Sequence, residues 1–147
     1  MKLLLLKFFA FGVLGYLLEG VFNRVTMGAI VEKALKKPKE SFFTYSSPYM
    51  IPIFGLSAVL ISLVYMVPFM QKIAALPILA IIGMIIIDSL ELGGGLLLNK
   101  VFKLQIWDYS NDKFNLLGQI DRIHSLGWMA LTIPICWTDS FISWLAK

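Results

Sequence analysis

Charge and thiols are what this sequence has least of. Only 15% of its 147 residues are Asp, Glu, Lys or Arg, and it holds one cysteine and one histidine. The single thiol, Cys136 in an apolar run, excludes a disulfide framework and a cysteine-built zinc site, and reads as a small core residue. Around the lone imidazole, His124, there is no HExxH, GxSxG or DxD-type spacing, so no hydrolase signature is in place. A histidine three residues after an aspartate reads first as a hydrogen-bonded helix-start residue. No GxxxxGK[ST] loop and no kinase-like glycine-rich run is present, so the chain has no ATP site of its own. The net charge of +4 is spread over loops, which points to membrane topology and anionic-lipid contact and away from nucleic acid.

What the sequence does have is hydrophobic length. With 59% hydrophobic residues and a mean hydropathy of +0.80, it is too apolar for a soluble domain. The expected fold is an all-α, polytopic bundle, one transmembrane domain over residues 1–147. Its four helices fall at about residues 3–25, 48–69, 73–98 and 123–145, since about 20 residues cross a hydrocarbon core of ~30 Å. Met1–Phe9 mimics the start of a signal peptide. Lys7 interrupts that run, no small-x-small site follows, and the apolar pattern continues through Phe22, so the segment reads as helix one.

Polar residues inside these segments are few. On helix one, Gly12, Gly15, Glu19 and Asn23 recur at three- and four-residue steps and share a face. A mid-helix carboxylate costs about 3 kcal/mol to insert, so that face looks inward; the glycines permit close helix approach. Helix two opens with the uncharged SSPYMIPIFG, where Pro52 and Gly55 are expected to distort the first turn and to line a site. A tight link, Met70–Lys72, leads to helix three. Near its end Asp88 and Glu91 are i, i+3 neighbours, expected either to share a proton or cation or to fix helix register.

The loop from Asn99 to Arg122 contains WDYS (Trp107, Asp108, Tyr109, Ser110), expected as an interfacial or re-entrant segment between helices three and four. Asp121, His124 or Ser125, Trp128 and Thr132 share a face at the start of helix four, and Asp139 near its far end reads as solvated. Glu19 lies seven residues before Thr26 and Glu91 eight before Asn99, which puts both carboxylates roughly 10 Å below one surface. The polar inventory thus converges at one end, and the opposite half is almost entirely apolar. Arg24, Lys33, Lys36, Lys37, Lys39, Lys100, Lys103, Lys113 and Arg122 flank loops one and three, against Lys2, Lys7, Lys72 and Lys147 on the other side. That excess places loops one and three in the cytoplasm and both termini outside the cell membrane.

GYLLE (Gly15–Glu19), SSPYMIPIFG (Ser46–Gly55), DSLELGGGLLL (Asp88–Leu98) and WDYSNDKFNLLGQI (Trp107–Ile120) resemble motifs of the small multi-pass proteins described as putative ABC-transporter type IV permeases. The resemblance covers roughly residues 11–132. It implies weight on Glu19, Pro52, Gly55, Glu91, Trp107, Asp108, Tyr109, Ser110, Asn115 and Gly118. Lys113 stands where the family usually has Pro and Gln119 where it usually has Arg, so an anion-binding role at residue 119 is not carried over.

Three functions fit. The first is transport or lipid and small-solute handling, in which Glu19, Asn23, Asp88 and Glu91 bind a cation, proton or positively charged head group. WDYS and Asn115 then close the mouth or dock a partner. Four helices are thin for a solute path, so this reading requires a homodimer or a second subunit, and an ATPase if the family description is literal. The second is an intramembrane enzyme acting on a lipid or membrane-bound substrate through Asp108, Tyr109, Asp121 and His124. The third is a structural or accessory subunit, with Asp108 or Ser110 accepting backbone N–H groups to cap a turn, and Gly15, Pro52, Gly55 and Gly118 serving packing and turns. A metal would need carboxylates from several helices, which the spacing does not support, and no cofactor is assigned.

Overall fold

The computed structural model describes residues 2–26 and 46–145. Lys33, Lys36, Lys37 and Lys39 of loop one, four of the positive residues that set the expected orientation, lie outside the described residues. The described residues form four α-helices: α1 (Lys2–Thr26), α2 (Met50–Tyr65), α3 (Leu76–Gly95) and α4 (Arg122–Leu145). The all-α expectation holds, with one addition. A two-stranded antiparallel hairpin, β1 (Asn115–Leu116) and β2 (Ile120–Asp121), pairs Asn115 with Asp121 and Leu116 with Ile120 just before α4.

The boundaries differ from the sequence reading between helices two and three, and proline is the reason. Pro68 has no N–H to continue the ladder and forces Val67 out of the helical region, to φ −68°, ψ 122°. Helix α2 therefore ends at Tyr65, and two short 3₁₀ turns, Pro68–Gln71 and Ile73–Ala75, replace the expected three-residue link. Pro52 does not distort α2. It stands in the first turn, where the N–H groups have no helical partner to lose, and the helix runs unbroken from Met50. At the far end of α3 the ladder widens into a π-helical turn, Leu96–Val101.

Helices α1 and α2 pack backbone to backbone. A Cβ on Gly12 would lie 2.6 Å from the Ile51 carbonyl oxygen, and one on Gly55 would lie 2.5 Å from that of Phe8. Only hydrogen fits at either position, so the pair interlocks in both directions, as small residues permit at membrane helix contacts. The core gathers on α2, α3 and α4: Met50, Ile53, Phe54, Ile61, Leu79, Ile87, Trp128 and Cys136.

The surface reverses the pattern of a water-soluble bundle. Leu5, Phe9, Val13, Leu17 and Val21 form an exposed stripe along α1, while Leu56, Leu60, Ile81, Ile85, Trp137 and Phe141 continue it over the other helices. Lys7, Glu19, Glu91, Asp121, His124 and Asp139 are buried instead. Two described segments are long and apolar enough to cross a membrane, Lys2–Val25 and Ile73–Val101. At 16 residues α2 is apolar but only about 24 Å long, short of a hydrocarbon core of ~30 Å. Helix α4 has spanning length, 24 residues, and is more polar.

Candidate functional site

The side chains of interest meet where α1 ends, α3 ends and α4 begins. The hairpin delivers Asp121 to the start of α4, where its Oδ1 accepts the backbone N–H groups of Ile123 (2.6 Å) and His124 (3.0 Å). These N–H groups have no partner within the helix, so the carboxylate caps it. The other oxygen, Oδ2, meets His124 Nδ1. Burial raises the Asp121 pKa, but the hydrogen bonds from His124, its charge and the N–H of Ile123 outweigh that and hold the carboxyl below its ordinary value.

His124 is almost fully buried and fixed on every side. Its Nε2 lies 2.8 Å from Asn23 Oδ1 on α1. The Tyr109 ring stacks on it at 4.7 Å, and Phe22 approaches edge-on at 5.6 Å. With an oxygen at each ring nitrogen, the doubly protonated ring satisfies both neighbours, whereas the neutral ring requires the Asn23 amide turned to present its NH₂.

One turn deeper are the acids. Glu91 on α3 is wholly buried, and its Oε2 accepts the Trp128 indole N–H at 3.0 Å. Its Oε1 is buried with no hydrogen-bond partner among the described residues. Glu19 on α1, 4% exposed, accepts the Ser46 hydroxyl on Oε2. Asp88, half-buried beside Ser125, keeps Oδ1 buried and likewise without a partner. The Glu91 carboxylate feels the charges of Glu19, Asp88 and Asp121 together. Carboxylates from α1, α3 and the start of α4 therefore crowd one region of the bundle, with Trp128 bonded to Glu91 and Tyr109 stacked on His124.

The rest of the WDYS stretch faces elsewhere. Asp108 is exposed, and its Oδ1 accepts both the Ser110 N–H (2.9 Å) and the Ser110 hydroxyl (2.5 Å). Those bonds hold the Asp108 carboxyl below its ordinary pKa. Asn115 Oδ1 accepts the Gly118 N–H at 2.8 Å, and Tyr109 N–H donates to the Gly118 carbonyl at 2.8 Å. Gly118 has φ +70°, and a Cβ there would collide with Asp108 Oδ1 and Ser110 Oγ. Trp107 donates its indole N–H to the Gln119 carbonyl at 2.9 Å. Trp107, Asp108, Ser110, Asn115 and Gly118 thus build the turn that presents Tyr109 and do not themselves reach the acids.

Several contributors take their roles from partners that local pattern does not name. Ser46 gains its role only from Glu19, twenty-seven positions away in the chain. Asn99 binds the loop to the end of α3: its Nδ2 donates to the Trp107 carbonyl (3.0 Å) and to Gln119 Oε1 (2.8 Å), and its Oδ1 accepts the Ile106 N–H (2.6 Å). Gln119 is buried in that brace.

The opposite half of the bundle corrects the sequence reading. Asp139 is not solvated: it is 5% exposed, with Oδ1 accepting Lys7 Nζ at 2.6 Å and the Ser62 hydroxyl at 2.6 Å. The long lysine stem crosses from α1 and brings its charge to α4, an arrangement that separate helix patterns do not reveal. Among the described residues, no three His, Cys, Asp or Glu side chains are placed to hold a metal ion.

These features define a helical membrane-type bundle, apolar outside and charged within, related to transporters. The chain belongs to the family described as Putative ABC-transporter type IV, whose model matches residues 6–145. No curated protein and no solved structure matches it.

Proposed function

We propose that this chain is a four-span, permease-like membrane subunit that binds a positively charged solute or lipid head group in the Glu19–Asp88–Glu91 pocket. The observation that carries this reading is Glu91: a wholly buried carboxylate with one oxygen on Trp128 and the other without a donor among the described residues. A buried carboxylate oxygen without a donor is costly, and a purely structural position would avoid it with Gln or Leu. A cation entering the pocket supplies the missing donor and offsets the crowded negative charge. The exposed apolar stripes suit lipid, with α2 accommodated by its flanking turns or by local thinning of the bilayer. The positive residues around loops one and three favour the pocket at the cytoplasmic side. Family membership supports coupling to an ATPase subunit, since the chain carries no nucleotide loop, and a homodimer or second subunit would complete a solute path.

Catalysis by the Asp121–His124 pair is less well supported. Asp121 occupies Nδ1 and Asn23 occupies Nε2, so the imidazole has no free nitrogen for a substrate proton. Native mass spectrometry of the protein purified with its partners is expected to show a co-purifying ATPase and a small cationic species, the latter lost in Glu91→Gln. Turnover of an added lipid by the isolated chain would overturn the transport reading.

A further inference from the structure

Helices α1 and α4 are tied by polar contacts near both ends, Asn23 with His124 at 2.8 Å and Lys7 with Asp139 at 2.6 Å. Between the ties lies an apolar groove. Leu14 and Leu18 form one lip, 41% and 40% exposed, and Leu131 stands on the opposite wall. Phe54, Ile87 and Trp128, all buried, make its floor. Its lining on α1 runs from Phe11 to Leu18, about 10 Å at ~1.5 Å per residue. The hydroxyl of Ser57, also in the lining, is spent on the Ile53 carbonyl at 2.8 Å, so the groove offers a ligand no polar partner of its own.

The groove runs toward the acids. Gly15 and Ile87, in its wall, are each one helical turn from Glu19 and Glu91, and Trp128 belongs to both: its ring lines the groove while its N–H holds Glu91. We propose that the ligand is an amphiphile that lays a single alkyl chain in this groove and places an ammonium head, bearing N–H donors, among Glu19, Asp88 and Glu91. This deepens the cation-site reading above and rests on it. Two observations select that occupant. The unmet atoms, Glu91 Oε1 and Asp88 Oδ1, are hydrogen-bond acceptors and call for N–H donors, which a quaternary ammonium lacks. The groove that runs toward them is apolar and lies between α1 and α4. In a bilayer the chain gains little hydrophobic energy over lipid tails, so the groove supplies route and orientation and the acids supply selectivity.

The test uses the full chain in phosphatidylcholine nanodiscs with dodecylamine and dodecanol probes, each carrying a diazirine on the chain. After irradiation the amine is expected to label Leu14, Leu18 and Leu131, and excess unlabelled dodecylamine should suppress this at least about tenfold. The alcohol should label the outward residues Leu5, Val13 and Leu17 without such competition. Glu91→Gln should abolish groove labelling by the amine. Leu131→Trp, which fills the groove, should abolish it too while retaining butylammonium binding by native mass spectrometry. An amine labelling pattern identical to that of the alcohol overturns the proposal. If wild type still retains butylammonium in that case, the groove assignment alone falls; if it retains none, the cation site falls with it.

Discussion

The two ends of the bundle bury charge in opposite ways. At one end Lys7, Asp139 and Ser62 form a closed set, in which cation meets carboxylate at 2.6 Å and a hydroxyl donates to the same oxygen. At the other, Glu19, Asp88, Glu91 and Asp121 gather around one histidine, and two carboxylate oxygens have no donor among the described residues. Both arrangements carry a desolvation penalty, yet only the first contains its own compensation. A compensated set is explained by holding helices together. In the function proposed above, a ligand completes the uncompensated one.

The largest effect should come from breaking the closed end. Lys7→Met strands a buried Asp139 and should lower stability by about 3–5 kcal/mol, with Lys7→Met/Asp139→Leu recovering most of the loss in thermal unfolding of the detergent-solubilised protein. If the single change is harmless, the pair is not the clamp it resembles. At the open end Trp128→Phe keeps a ring against Phe54, 5.0 Å away, but removes the only described donor to Glu91, for a loss of about 1–3 kcal/mol. Gly118→Ala forces an L residue to φ +70°, for about 1–2 kcal/mol, and should loosen the turn that presents Tyr109, visible as faster hydrogen exchange over residues 107–121.

A smaller effect concerns pH. The Asp121 carboxyl has a folded pKa below its unfolded value of ~3.9, so its contribution is present above that value and fades as pH falls through the lower folded pKa. Asp121→Asn should flatten the acid limb of the stability profile and leave the limb above pH ~5 parallel to wild type. Smallest of all is Glu91→Gln, expected to leave stability unchanged or slightly raised, because it removes a carboxylate whose one oxygen is unmet. A loss like that of Lys7→Met would make both ends structural.

Helix positions were readable because hydrophobic length announces them, and the meeting of Glu19 with Glu91 followed from counting turns to a shared surface. The Lys7–Asp139 pair is a tertiary feature. Lys7 and Asp139 lie on helices read separately as a topological charge and a solvated end, and only packing shows that one lysine stem spans the gap. Pro68 is a local helix stop set inside an apolar run long enough to read as one span. For WDYS, residue type pointed equally to chemistry and to turn-building. The contacts divide it, giving Asp108 and Ser110 to the turn and stacking Tyr109 on His124. Ser46 and Asn99 matter only through partners distant in sequence or across a loop, which local pattern does not encode.

The most direct test of the contrast between the two ends is calorimetric titration of the folded protein with butylammonium, comparing wild type, Glu19→Gln/Glu91→Gln and Lys7→Met/Asp139→Leu. Saturable binding should survive in the variant of the closed end and vanish in the variant of the acidic end. Equal binding by all three, or loss only with the Lys7–Asp139 pair, would contradict the assignment of the open acids as the site.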